Sequence, residues 1–498
     1  MPSTSPNTLF LMTDQHRVDT LPCYGNRVVR TPNLDRIAGS GTRFERMYTP
    51  TAICTPARAS LITGLQPFRH GLLVNPERGR GQVELPEGVP TWSQTLADAG
   101  YNVGHSGKWH VGRDFGPDHY GIEGEHMPGA LNPFDFPPYT AWLAEQGLPP
   151  FGTCDAVFST APNGTGRGHL FAARLTQPFE ATVENYIAER ALTLLERYAA
   201  EYRATGKPFV LTASWFGPHL PYLIPDRYFD MYDPADVELP ASFAESFAGK
   251  PPIQKRYSEY WGADNFTRDE WRKLIAVYWG YVTMIDDAIG RLLAGLDAHG
   301  LWDETNIIFT ADHGEFTGAH RMHDKGPGMY EDIYRIPGLV RIPGEAPQVR
   351  SELVSLIDIS ATLLDLGGAA GAMPTDGRSL VPLVRGEAVP DWRHEIVAEF
   401  HGHHFPYSQR MLRDDRYKLV VSPESVNELY DLETDPDELR NLYDEPDYET
   451  VRDGLAQRLY RELVERDDPA FSWLTYMAPI GAARVGDVDG VADRVYQR

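Results

Sequence analysis

The run Cys54-Thr55-Pro56-Ala57-Arg58 brings a thiol, a proline and a fixed positive charge together within five residues. Proline suits the first turn of a helix, where its missing N–H is not needed, so we expect Cys54 at a helix N-terminus. The free N–H groups and positive dipole end of a helix favour an oxyanion, and Arg58 adds charge one turn later. The pattern predicts a nucleophile at a helix start, although a buried cysteine in a helix-start motif would look the same.

Acidic side chains follow two predicted core strands. Asp14 comes just after the mostly apolar run 7–12, and Asp312-His313 come just after the run 306–310. Open α/β sheets bind ligands beyond the carboxyl ends of their strands, and two such acids brought together would bind one hard divalent cation. An isolated pair of this kind is more often a turn or a cap. Because both follow predicted buried strands, we interpret them as a metal site.

The elements that position these residues alternate between strands and helices. A third short strand is predicted at 208–214, and amphipathic helices are predicted at 181–200 and 271–296. This alternation predicts an α/β fold with a large, mostly parallel sheet flanked by helices. We expect this fold to occupy residues 1–385, and a smaller C-terminal α+β subdomain with a tail to occupy residues 386–498.

Composition limits the classes of partner. The chain has 498 residues and a net charge of −24, which argues against nucleic acid and anionic membranes. Three cysteines are too few for a disulfide framework, and Cys23 and Cys154 are expected to stay unmodified thiols. No apolar run reaches the roughly 20 residues of a membrane span, and the first residues lack the pattern of a signal peptide. The sequence as written predicts a cytoplasmic protein and leaves export open.

Further motifs follow the cysteine run in a fixed order. They are Gly107-Lys108-Trp109-His110, Pro218-His219-Leu220-Pro221, the string from Asp312-His313-Gly314-Glu315 to Lys325, and Leu429-Tyr430-Asp431-Leu432. Together, over residues 7 to about 445, these blocks resemble the type I sulfatases of the alkaline phosphatase superfamily. The resemblance implies an alkaline-phosphatase-like fold and hydrolysis of sulfuric esters. It also implies that a formylglycine-generating enzyme oxidises Cys54 to formylglycine, whose hydrated aldehyde is the nucleophile.

The resemblance also implies a role for each matching position. The implied metal ligands are Asp14, Gln15, Asp312, His313 and the matured Cys54. Arg58 and Lys108 are implied to hold the hydrate and the sulfate oxygens, and His110 to act as the base on the hydrate. His219 and Lys325 are implied to contact sulfate and to assist the leaving oxygen. Gln15 and His313 depart from the commoner aspartate and asparagine, so calcium is expected while manganese or another transition ion stays open.

Substrate recognition is the least determined part of this interpretation. Asn75 and Arg78 follow the cysteine helix, and His403 and Arg410 belong to a polar cluster in the C-terminal part. We expect these four residues to contact substrate, although solvated loops would show the same residue types. The aromatic stretch 115–151 is expected to shape the pocket. The expected substrate is a small-molecule or saccharide sulfate ester, and a homo-oligomer is possible.

Three other functions stay open. A phosphonate monoester or phosphodiester hydrolase of the same superfamily can also have an Asp-Gln start and an Asp-His pair, and both occur here. Lys108 and His110 favour sulfate, because those relatives usually carry uncharged residues at these positions. A catalytically silent protein that binds sulfated glycans would keep Cys54 as a thiol and would turn nothing over. A thiol hydrolase would use Cys54 directly.

Overall fold

The computed structural model describes residues 6–76, 82–129, 132–161, 164–423 and 425–472. Its helices are α1 (Pro32–Ala38), α2 (Cys54–Thr63), α3 (Pro67–His70), α4 (Trp92–Asp98), α5 (Pro137–Glu145), α6 (Val183–Thr205), α7 (Asp226–Phe229), α8 (Pro252–Trp261), α9 (Arg268–Ala298), α10 (Glu331–Tyr334), α11 (Asp358–Leu366), α12 (Val381–Val384) and α13 (Glu449–Glu465). Its strands are β1 (Asn7–Thr13), β2 (Thr42–Tyr48), β3 (Asn102–Gly107), β4 (Glu123–Gly124), β5 (Thr153–Thr160), β6 (Arg167–Leu175), β7 (Phe209–Ser214), β8 (Tyr222–Pro225), β9 (Thr305–Ala311), β10 (Arg335–Ile336), β11 (Gly338–Arg341), β12 (Gln348–Ser355), β13 (Glu395–Phe400), β14 (Gln409–Asp414), β15 (Tyr417–Val421) and β16 (Glu428–Asp431).

A nine-stranded sheet forms the centre of the molecule, in the order β10-β2-β11-β9-β1-β7-β3-β4, with β12 also paired to β2. Strands β9, β1, β7 and β3 run parallel to one another, whereas β11 runs antiparallel to β9 and β2. The carboxyl ends of the four parallel strands therefore lie at one edge of the sheet, where ligands bind in such folds. The predicted large, mostly parallel sheet is confirmed.

The side chains of β1 alternate between two hydrophobic cores. Leu9 and Leu11 belong to the core that includes α6 and α9, whereas Phe10 and Met12 belong to the core that includes α2, α4 and α11. Successive residues of a strand point to opposite faces, so a central strand that is apolar on both faces must be covered by helices on both. This packing fixes the end of β1 and therefore the position of Asp14, which directly follows the strand.

A smaller antiparallel sheet forms the C-terminal part, in the order β13-β14-β15-β16. Together with α13 it has a hydrophobic core of its own, which includes Leu412, Leu419 and Leu459. The predicted C-terminal α+β subdomain is confirmed in kind. Its first strand begins at Glu395, and the division between residues 385 and 386 stays a prediction.

The aromatic stretch 115–151 contains α5, and β5 directly after it joins β6 and β8 in a three-stranded sheet. Phe134 stacks on Phe151 with 4.2 Å between ring centroids. Phe115 and Phe151 are 41% and 38% exposed, so part of this stretch presents rings to solvent. Its role in shaping the substrate pocket stays a prediction. Among the described helices, none combines the length and the apolar character needed to cross a membrane.

Candidate active site

Cys54 begins helix α2, as the proline two residues later predicts, and its side chain is buried. The helix ends at Gly64, whose φ of 70° is a conformation that glycine adopts without steric cost. Near the start of the helix, the Thr55 N–H donates a hydrogen bond to Asn75 Oδ1 at 3.0 Å. Asn75 therefore stabilises the helix that carries the cysteine, and any contact with substrate stays a prediction.

The ends of β1 and β9 bring potential metal ligands to Cys54. Cys54 Sγ lies 3.2 Å from His313 Nε2 and 3.9 Å from Asp14 Oδ1. With Asp312 included, one ligand atom from each of these four buried residues lies within 4.8 Å of all the others. Carboxylate oxygens with one imidazole suit a divalent cation. This donor set fits the metal that the family resemblance implies.

Arg58 connects the two ligand carboxylates. Its Nε donates to Asp312 Oδ2 at 2.9 Å, and its Nη2 donates to Asp14 Oδ2 at 3.0 Å. Its Nη1 donates to Ser214 Oγ at 2.9 Å and to the Lys108 carbonyl oxygen at 3.1 Å. The side chain is 3% exposed. In this arrangement Arg58 holds the carboxylates in place, whereas the resemblance implied that it contacts the sulfate oxygens.

Two acids that the sequence did not single out orient the amide of Gln15. Gln15 Nε2 donates to Glu315 and, at 3.1 Å, to Asp324 Oδ1. Gln15 Oε1 accepts a hydrogen bond from Lys325 Nζ at 2.8 Å. An amide side chain has one donor end and one acceptor end, so the two acids hold the oxygen of Gln15 toward Lys325. The contact of this oxygen with a metal stays a prediction.

The backbone at Gln15 has a φ of 62°, in the left-handed region that non-glycine residues seldom occupy. Conformations of this kind are held in place by the surrounding structure and cluster at functional sites. His110 has the same feature, with a φ of 55°. Both residues belong to the set that the resemblance implies.

Two lysines from different loops reach this centre. Lys108 follows β3, and its Nζ lies 2.5 Å from Asp14 Oδ2. Lys325 Nζ lies 2.8 Å from His219 Nε2, so the predicted pair of His219 and Lys325 is brought together. Both lysines are almost completely buried. Their catalytic roles stay predictions.

The centre is electrostatically positive around Cys54. Burial raises the pKa of the Cys54 thiol, but Lys108, Lys325 and His313 outweigh this effect and hold the pKa well below its usual value. A hydrogen bond from His110 acts in the same direction. An anion at this position is thus stabilised, although the whole chain has a net charge of −24.

Neighbouring acids raise the pKa of Lys325 and, in the absence of a metal, that of His313. Burial lowers the pKa of Lys325, but Asp324 and the Cys54 thiolate outweigh it and raise the pKa above its usual value. Burial also lowers the pKa of His313, but Asp312 and Cys54 raise it to about 9. The acids therefore offset the cost of burying positive charge, and they leave that charge directed at residue 54.

The predicted substrate-binding residues of the C-terminal part lie in two different places. His403 Nε2 lies 3.3 Å from Asp324 Oδ2, on the residue that precedes Lys325. Arg410 instead makes a buried bidentate ion pair with Asp468, at 2.7 and 3.1 Å. This ion pair stabilises the subdomain core, and any contact of Arg410 with substrate stays a prediction. Arg78 lies outside the described residues.

Comparison with known proteins agrees with this geometry. Residues 6–369 match the family described as Sulfatase, and residues 318–465 match the family described as N-sulphoglucosamine sulphohydrolase, C-terminal. The chain is 31% identical over 480 residues to the uncharacterized sulfatase YidJ of Escherichia coli (strain K12), covering 95% of this chain and 90% of that protein. It is 30% identical over 503 residues to the multifunctional alkaline phosphatase superfamily protein PehA of Trinickia caryophylli, covering 91% of this chain and 94% of that protein.

A solved structure has the same overall fold. The phosphonate monoester hydrolase of Agrobacterium radiobacter matches with a TM-score of 0.77 and 26% sequence identity, covering 93% of this chain and 96% of that one. The family match spans the whole central sheet and every strand end that contributes to the centre around Cys54. The chain belongs to the sulfatase family of the alkaline phosphatase superfamily.

Proposed function

We propose that this chain hydrolyses organic sulfate monoesters, with a carbohydrate or an aryl or alkyl alcohol as the leaving group. The observation that carries the proposal is the pair of buried lysines, Lys108 and Lys325, whose charges both act on Cys54. A sulfate monoester presents three oxygens that share one negative charge. Fixed cations on more than one side bind and orient those oxygens, and they offset the negative charge that develops on the leaving oxygen in the transition state.

Two groups that the family implies complete the proposed centre. Formylglycine at residue 54, made by a formylglycine-generating enzyme, would supply a nucleophilic hydroxyl after hydration, and a divalent cation would stabilise negative oxygens. We favour calcium, because Asp14, Gln15 and Asp312 offer oxygen ligands. The imidazole of His313 makes manganese the second choice.

The side chains around residue 54 divide the proton transfers between them. Lys325 Nζ donates a hydrogen bond to His219 Nε2 at 2.8 Å, so the pair shares a proton that can move to a leaving alkoxide. His110 lies within hydrogen-bond reach of residue 54, which suits a base for the nucleophile. Arg58 donates hydrogen bonds to both ligand carboxylates, so these carboxylates do not take part in the proton transfers.

Hydrolysis of phosphonate monoesters is the second candidate. It is favoured by the Asp14-Gln15 and Asp312-His313 pairs and by the likeness to a phosphonate monoester hydrolase. A phosphonate monoester has a carbon substituent where sulfate has a third oxygen, so its binding site needs uncharged side chains against that substituent. The two buried lysines and His110 leave less room for such uncharged contacts, which places this activity second.

The test is a paired substrate panel with matched cysteine variants. Aryl, alkyl and sugar sulfates are compared with the corresponding phosphonate monoesters by kcat/KM, and peptide mass analysis determines the state of residue 54. We expect the sulfates to be preferred, Cys54→Ala to lose about 10³-fold or more, and Cys154→Ala to keep its activity. A preference for phosphonate esters would replace the sulfatase proposal with the second candidate. An active Cys54→Ala protein would refute the role of the nucleophile in both.

A further inference from the structure

Two consecutive histidines in the loop between β13 and β14 point at one carboxylate oxygen. His403 Nε2 lies 3.3 Å from Asp324 Oδ2, and His404 Nε2 lies 3.5 Å from the same atom. In an extended chain, neighbouring side chains point in opposite directions, so this convergence requires a turn. Gly402 provides it with a φ of 101°, and a Cβ at that position would lie 2.6 Å from the Phe405 carbonyl oxygen. The loop conformation thus depends on a glycine directly before the pair.

The two imidazoles are buried, but not all of their ring nitrogens make well-formed hydrogen bonds. The side chains of His403 and His404 are 6% and 8% exposed. His404 Nε2, the nitrogen that faces Asp324, lies 3.5 Å from that carboxylate and makes no well-formed hydrogen bond among the described residues, and His403 Nδ1 makes none either. Buried polar atoms are nearly always partnered, and leaving one unpaired costs free energy. The nitrogen aimed at the carboxylate therefore calls for a ligand.

Asp324 serves the catalytic centre with one oxygen and faces the histidines with the other. Its Oδ1 accepts hydrogen bonds from Gln15 Nε2 and Lys325 Nζ, both at 3.1 Å. Its Oδ2 accepts a hydrogen bond from the Tyr257 hydroxyl at 3.0 Å. Because a carboxylate oxygen has two lone pairs, Oδ2 keeps one for a further partner on the histidine side.

The spacing of these atoms fits coordination better than ion pairing. Lys325 already neutralises Asp324, so two protonated imidazoles would crowd three positive charges around one carboxylate. Neutral imidazoles carry a lone pair that binds metals. Ligand atoms about 2.0–2.1 Å from a tetrahedral zinc ion lie about 3.3 Å from one another. The distances of 3.3 and 3.5 Å from Asp324 Oδ2 to the two nitrogens match such an edge.

We propose that Asp324, His403 and His404 form a second metal site, separate from the one beside Cys54, which binds a transition-metal ion of the Zn²⁺ class. One ligand atom from each of the three lies within 4.8 Å of the other two. Two imidazoles and one carboxylate suit Zn²⁺ and related ions, whose remaining positions water can fill. Calcium requires six to eight oxygen ligands and is not expected here. An ion at this site would tie the loop of the C-terminal subdomain to the residue that precedes Lys325.

The test counts metal ions on the whole protein. Wild type, His404→Ala, His404→Asn and His403→Ala are dialysed against buffered Zn²⁺, and bound zinc per chain is measured by elemental analysis. We expect wild type to keep one zinc more than each variant, with an apparent Kd at least about 10-fold weaker after removal of one histidine. His404→Asn keeps a polar side chain of similar reach, so that a result is obtained even where the alanine variant folds poorly.

Two controls separate this site from its surroundings. His169 lies in the same aromatic cluster, with its ring 5.0 Å from Tyr260 and 4.5 Å from Trp261, but it is not in the group of ligand atoms formed by Asp324, His403 and His404. His169→Ala is expected to bind zinc like wild type. Asp312→Asn, in the centre beside Cys54, is expected to keep the extra ion. Equal zinc content in wild type and His404→Asn, or loss of the extra ion in His169→Ala, would overturn the proposal.

Discussion

Replacing Arg58 with methionine is expected to destabilise the metal-free protein far more than the metal-loaded protein. Arg58 is the cation that Asp14 and Asp312 share, with hydrogen bonds of 3.0 and 2.9 Å. Both carboxylates are completely buried, and removal of one partner from a buried ion pair costs about 3–5 kcal/mol. We expect a loss of that size in the free energy of unfolding after chelation, with one carboxylate taking up a proton.

A bound divalent cation faces the same two carboxylates, so it replaces most of the lost charge compensation. The remaining loss is that of the hydrogen bonds to Ser214 and to the Lys108 carbonyl, about 1–2 kcal/mol. Urea unfolding midpoints with calcium and after chelation measure both values. Arg410→Met is the matched control, because its buried pair with Asp468 lies in the C-terminal subdomain and should lose equally in both conditions. An equal loss for Arg58→Met with and without metal would refute this reasoning.

Three further predictions concern buried polar groups. Asp324→Asn is expected to lower kcat/KM for sulfate esters about 10–100-fold, whereas Tyr257→Phe, which removes a donor to the other oxygen and to the Lys325 carbonyl oxygen, should lose less; steady-state kinetics decides. Burial raises the pKa of Glu184 from 4.5 to about 7, so the contribution of Glu184 to the unfolding free energy should fall by roughly 3 kcal/mol as pH rises from 4.5 through 7, and Glu184→Gln should differ from wild type by the loss of that contribution in urea unfolding. Asn75→Ala is expected to lose about 1 kcal/mol of stability in the same assay, because the Thr55 N–H loses its acceptor.

The convergence of Asp14, Asp312 and Cys54 could be predicted from the sequence. Each acid follows a short apolar run, and parallel strands place their carboxyl ends at one edge of the sheet. Pro56 fixed the register of the cysteine at a helix start. These signals are local in the sequence, and they suffice for the prediction because the fold repeats the same strand-end arrangement. Asp14, Asp312 and His313 lie together beside Cys54, while the metal ligands and catalytic roles implied by the resemblance stay predictions.

The orientation of Gln15 could not be predicted in this way. It depends on Glu315 and Asp324, about 300 residues later in the chain, and on a left-handed backbone at Gln15. Glu315 stands in the Asp-His-Gly-Glu block and Asp324 directly precedes Lys325, so the residue types were visible but the side they face was not. Sequence patterns identify charge clusters without giving their direction.

The ion pair of Arg410 could not be predicted for the same reason. It lies on β14 in a polar region of sequence, which predicts contact with an anion as readily as a structural ion pair. Its partner is Asp468, 58 residues further along the chain, and no feature of the sequence near Arg410 indicates this pairing. The cytoplasmic location and the pocket-shaping role of residues 115–151 likewise stay predictions.

The burial of Cys54 restricts when the proposed oxidation of this residue can take place relative to folding. The side chain is 1% exposed, and every residue of the helix that it begins is buried. If Cys54 is oxidised as proposed above, the oxidising enzyme must bind several residues around it, and freeing them from the folded core would cost a large share of the global stability. The proposed oxidation would therefore have to come before folding is complete. The yield of active protein would then depend on the rate of oxidation relative to the rate of folding, and a chain that folds first would remain a thiol.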